Sequence, residues 1–256
     1  MEYCLPCRSL VRSICYVKGH ATGYLKGILM KEQDLRERAR THLQKLCVDI
    51  STRLVGTPGN RAATDYVDQE FSRFGFATTS DAFPCIEWRH GEARLVDDDG
   101  TDYPVRIGSY SLGVDVRAPL LTARDEDELA VFDATGALLL LQDDLTQEQL
   151  MPKNFPFYNP EHHQRLIALL EAKAPAAILA ATDSDPGLAG GISPFPLIED
   201  GDFDIPSAYM TVAEGEGLAA QAGQMLRLTM DATRVPATGC NVIGRKGRTI
   251  ERLVFC

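Results

Sequence analysis

Apolar positions in the first half of the chain repeat with a helical period. Leu35, Ala39, His42/Leu43, Leu46 and Ile50 share one stripe while Arg36, Glu37, Arg40 and Lys45 stand opposite, which predicts an amphipathic helix over about 35–50. The turn Gly56-Thr57-Pro58-Gly59-Asn60 then introduces a second stripe, Ala63, Val67, Phe71 and Phe74. Thr57 fits the N-cap of that helix, Pro58 its first position and Gly75 the residue just past its end.

From Phe76 to Trp88 the pattern alternates and predicts a strand. Between Gly91 and Pro119 short strand-like pieces are broken by Asp97-Asp98-Asp99-Gly100 and by Gly108 and Gly113, the texture of hairpins in a small β-rich module. Ala137–Leu141 and Ala176–Ala181 read as buried strands. A helix capped by Asn159-Pro160 and carrying Leu166, Ile167, Leu170 and Ala174 lies between them, so 137–181 predicts a βαβ unit. A Gly/Pro-rich loop follows over 185–206. Further strands are expected at Ser207–Val212, Leu226–Asp231, Asn241–Gly244 and Ile250–Cys256, the last with an apolar edge prone to association.

Composition narrows the class. With 256 residues the chain is long enough for one or two domains, and 45% apolar with 24% charged residues is ordinary globular content. A formal net charge of −10 without any basic run argues against nucleic acid, and no apolar run approaches the ~20 residues of a membrane helix. Residues 1–30 stand apart: four basic residues (Arg8, Arg12, Lys18, Lys26) face Glu2 alone, whereas the remainder is strongly acidic. That segment is expected to be a dispensable or non-native extension, with a targeting leader as the second reading, and its removal is expected to leave thermal stability unchanged. Seven cysteines form no framework, and Cys4-x-x-Cys7 lacks the second pair that zinc requires, so a reducing, cytoplasmic setting is expected.

Candidate chemistry is sparse. No G-x-S-x-G, phosphate-loop, G-x-G-x-x-G or H-E-x-x-H motif occurs. The histidines are His20, His42, His90, His162 and His163. Adjacent residues on a helix point ~100° apart, so His162-His163 reads as a solvated helix face that cannot chelate one ion. Asp200-Gly201-Asp202-Phe203-Asp204 alternates like a calcium loop, but Ile205 and Thr211 stand where an EF-hand needs Gly and Glu. Asp143-Asp144, directly after the Leu138–Leu141 strand, reads as turn carboxylates.

Three segments carry a family likeness. Arg53-Leu54-Val55-Gly56-Thr57-Pro58-Gly59-Asn60, followed by the helix Ala62–Phe74, Gly75-Phe76 and Phe83, resembles the opening of M28-type zinc aminopeptidases. Asp204-Ile205-Pro206-Ser207-Ala208-Tyr209-Met210 is similar to the turn closing the protease-associated (PA) module inserted in many of them, and Cys240-Asn241-Val242-Ile243-Gly244 is similar to their Asn-Val-Ile strand. The resemblance implies an α/β fold: a partial zinc-exopeptidase-like, doubly wound, mixed-sheet domain with an inserted α+β PA-like module. Residues 31–91 and 224–256 would form the peptidase-like part and 92–223 the insert. It implies a parent that removes N-terminal residues from peptides by two-zinc activation of water. The family's His-x-Asp and later ligands match no position here, so no catalytic, cofactor-binding or metal residue carries over. The chain alone is expected to be inactive and to hold no zinc. The alternative is a non-catalytic PA-like module that binds proteins or peptides on a degenerate peptidase scaffold.

Overall fold

The computed structural model describes residues 32–153, 155, 157–182 and 203–247. The expected 1–30 extension, the C-x-x-C, His20, most of the 185–206 loop with Asp200 and Asp202, and the Ile250–Cys256 strand lie outside the described residues.

The chain divides into two compact units, up to Lys45 and from Leu46 onward. A wider turn, Lys45–Asp49, spans that boundary in the chain, and the first unit holds α1 (Glu32–Gln44). This is the expected helix, but Leu35 and Leu43 on its apolar stripe are exposed and His42 is half-buried.

The second unit opens with α2 (Pro58–Arg73), bounded as its sequence dictates. Thr57 is extended and its Oγ1 accepts the Asn60 N–H at 3.2 Å, with Pro58 at the first helical position. At the other end Gly75 takes φ +76°, Gly75 N–H donates to Ser72 O and Phe76 N–H to Phe71 O, and the Phe71 and Phe76 rings lie 5.6 Å apart. Crossed bonds plus an apolar clasp are a Schellman stop.

Among the described residues, eight strands follow in one mixed sheet. They are β1 (Ala77–Asp97), β2 (Asp102–Tyr103), β3 (Arg106–Ile107), β4 (Val114–Ala123), β5 (Leu138–Leu141), β6 (Ala177–Thr182), β7 (Ser207–Thr211) and β8 (Met225–Arg245), in the spatial order β2-β1-β8-β4-β5-β6-β7-β3. β4, β5, β6 and β7 are mutually parallel, and the remaining pairings are antiparallel. The sequence pieces expected at 226–231 and 241–244 are one strand. β8 pairs with β1 from Leu226↔Asp97 to Arg245↔Ala77, with a slip between His90 and Ala93 at Gly91. Gly56, at φ +78°, seats the turn before α2 against this ribbon: a Cβ there would stand 2.9 Å from Ala237 Cβ. The hairpin expected at Asp97–Gly100 joins β1 to β2, tied by Asp97 Oδ1 accepting the Thr101 and Asp99 N–H groups.

The expected βαβ unit is β5, α4 (Glu161–Lys173) and β6, with β5 and β6 parallel. Two helices escaped the sequence reading, α3 (Glu126–Val131) and α5 (Val212–Ala219). They explain why four consecutive leucines form β5. Leu138 and Leu140 face a core shared with Leu218 of α5, while Leu139 and Leu141 face one shared with Leu129 of α3 and Ile167 and Leu170 of α4. A strand covered on both faces has no polar side.

Candidate functional site

The parallel neighbours β4 and β5 end in register, Ala123 beside Leu141, and the chain leaving them builds a cleft of about 420 Å³. Ligand sites of open α/β sheets form at such carboxyl ends. From β4 comes the start of α3: Asp125 caps it by accepting the Glu128 N–H at 2.7 Å, and Asp125, Glu126 and Asp127 line the cleft. From β5 comes a tight turn, Asp143–Thr146, pinned by Thr146 Oγ1 donating to Ala181 O at 2.6 Å. It delivers Asp144 and Glu148 to the cleft, with Leu145, Leu150 and Leu166 as its apolar lining. Among the described residues, no lysine or arginine lines it.

His162, in the first turn of α4, completes the lining. Its Nε2 lies 2.7 Å from Glu148 Oε1. Contrary to the sequence expectation of a solvated pair, His163 is 1% exposed, and its Nε2 lies 3.0 Å from the same Glu148 oxygen. The two rings are 4.4 Å apart at 73°. Side chains diverging from one helix thus meet a third group placed between them. His163 Nδ1 accepts the Met151 N–H at 3.1 Å, which puts the proton of the neutral ring on Nε2, facing Glu148. This approach makes no hydrogen bond, and the buried Nε2–H has no other partner. The two imidazoles beside it, His162 first through its hydrogen bond, hold the Glu148 carboxyl below the ordinary glutamate range. The overlooked clue was the spacing: His163 stands three, four and seven residues before the buried Leu166, Ile167 and Leu170.

The other candidates are dispersed. Asp143 pairs with Arg124 at 3.6 Å, and Asp144 accepts from Gln147 Nε2 at 2.8 Å. His90 stacks on Trp88 at 4.3 Å. Asp204 pairs with Arg234, and Phe203 is buried in the core, as befits a structural turn. In the family-like segments, Arg53 donates to Ile50 O, Ser207 N–H donates to Ser111 Oγ, and Cys240–Gly244 pairs with Thr78–Ala82 in the β1–β8 ribbon. These are structural duties.

A two-zinc hydrolytic centre needs roughly five ligands and a base around ions ~3.5–4 Å apart. Among the described residues, Glu148, His162 and His163 alone gather three metal-ligating side chains, so the described residues do not fit such a centre.

No family model matches the chain, and neither does any curated protein. Solved structures do. An aminopeptidase from Aneurinibacillus sp. strain AM-1 matches with 20% identity and a TM-score of 0.57, covering 84% of this chain and 49% of its own. A zinc aminopeptidase from Bacillus subtilis gives 19% and 0.56, over 84% and 48%. A peptidase M28 precursor from Shewanella amazonensis gives 16% and 0.56, over 83% and 52%. The chain spans about half the length of these proteins, and over that span its fold is that of the M28-type zinc aminopeptidases.

Proposed function

We propose that this chain is the scaffold portion of an M28-like metallo-aminopeptidase, with residues 92–223 as a PA-like module inserted between 31–91 and 224–256. The observation that carries the reading is the agreement of three family-like segments, in order, with a fold shared over 84% of the chain with an aminopeptidase. In this reading the parent hydrolyses N-terminal residues from peptides, and zinc lowers the pKa of the attacking water and polarises the carbonyl. This chain's residues contribute support: the capped α2 and the β1–β8 ribbon build the platform on which ligands from elsewhere in the parent converge. Peptides are the partner, and the free thiols Cys47, Cys85 and Cys240 favour a reducing, cytoplasmic setting. Among the described residues no helix is long and apolar enough to cross a membrane.

The test is aminoacyl-anilide hydrolysis by a longer protein that carries this chain together with an M28-type ligand set. Turnover that a chelator abolishes and zinc restores is expected. A folded, zinc-loaded protein without turnover would instead favour the non-catalytic reading. One observation already leans that way, since Phe157 and Tyr158 stand exposed in the loop over His163.

A further inference from the structure

We propose that Glu148 and His162 bind a divalent transition ion of the zinc class, with His163 holding the Glu148 carboxylate in place. The inference does not depend on the peptidase reading.

Three observations converge. An imidazole nitrogen and a carboxylate oxygen placed side by side, His162 Nε2 and Glu148 Oε1, suit a borderline divalent ion. The His162 and Glu148 side chains are about half exposed, at 50% and 55%, which leaves coordination positions open for water or a ligand. Behind them lies the buried His163 Nε2–H, without a hydrogen bond and 3.0 Å from Glu148 Oε1. Because the Met151 N–H occupies Nδ1, His163 cannot offer Nε2 as a ligand without leaving two N–H groups opposed. Its fitting role is that of a donor to a ligating carboxylate, the usual support for such ligands.

Geometry and charge permit the ion. Ligand atoms of a zinc-class site at ~2.0–2.2 Å from the metal stand roughly 3.3 Å apart. The 2.7 Å separation of His162 Nε2 and Glu148 Oε1 must therefore open by about half an ångström, which the exposed glutamate can give while turning toward His163. Asp125, Asp127 and Asp144 line the same cleft and add negative potential. Arg124 beside it is paired with Asp143. The amino end of α4 opposes a cation only weakly, by a fraction of what direct ligation supplies. On binding, His162 Nε2 presents its lone pair and the proton of the neutral ring sits on Nδ1; His163 keeps its proton on Nε2.

Ring-nitrogen NMR of the histidine-labelled 256-residue chain, titrated with zinc chloride, reads this directly. The expected result is a saturable shift of His162 Nε2 with Nδ1 becoming protonated, while His163 stays protonated at Nε2. His162→Ala and Glu148→Gln, both at exposed side chains, should weaken the calorimetric affinity at least about 10-fold, and His163→Ala about 10- to 100-fold. A His162 ring unmoved at saturating zinc, or zinc affinity unchanged in His162→Ala, would overturn the proposal. So would a bound state in which His163 Nε2 loses its proton.

Discussion

At the scale of single residues, His163 shows how a side chain's neighbours decide its role. Its Nδ1 accepts a backbone N–H in a nearly dry site, so His163→Ala leaves the Met151 N–H without that partner and opens space beside Leu166. Stranding a buried donor costs about 1–3 kcal/mol, and a urea midpoint lowered accordingly is expected. An unchanged midpoint would mean that Met151 finds another acceptor. His163 was half legible in the sequence: its spacing to Leu166, Ile167 and Leu170 marks it as buried, but nothing local announces Glu148. That carboxylate arrives through the turn after β5, a tertiary event. The helix does make His162 and His163 diverge, but His163 is buried rather than solvated, and both rings still meet the one Glu148 oxygen.

Elements repeat this division between local and tertiary causes. α2 was legible end to end because its boundaries are written in the chain, Thr57 and Pro58 at one end and Gly75 at the other. Thr57→Ala should cost about 1 kcal/mol of stability through loss of the cap; a thermal melt unchanged by the substitution would show that the cap is dispensable. α5 was missed because Gly215 and Gly217 weaken its helical pattern, and its identity rests on packing and on the Thr211–Glu214 capping box. Gly215 lies against β6, where a Cβ would stand 2.3 Å from Ala181 Cβ. Gly215→Ala must push α5 off the sheet and should destabilise by about 1–3 kcal/mol in chemical denaturation. The β1–β8 ribbon was legible only in pieces, because Gly91 on one strand and Pro236 and Gly239 on the other interrupt an alternation that cross-strand pairing carries through.

At the scale of the molecule, acidity sets the pH response. Hydrogen bonds from Thr101 hold Asp97, arginine partners hold Asp98, Asp102 and Asp115, and the histidines hold Glu148 below their ordinary ranges. A carboxylate with a lowered folded pKa stabilises above its unfolded value of about 4 and loses that contribution as pH falls through the folded one. Thermal stability should therefore hold from about pH 7 to 5 and fall below about 4; a flat profile down to about pH 3 would contradict these pairings. The arginine pairs are exposed and individually worth little, so the fall should be gradual and weakened by salt. The mixed α and β content was legible from the alternation of strand and helix periods and the mixed sheet only through the family resemblance, whereas the strand order was not legible, since it depends on β8 returning between β1 and β4. In the proposed function this chain supplies an aminopeptidase scaffold without the hydrolytic centre. The most direct test is the turnover of an aminoacyl-anilide by the folded 256-residue chain saturated with zinc. A rate indistinguishable from buffer is expected; chelator-sensitive turnover by this chain would contradict the proposal.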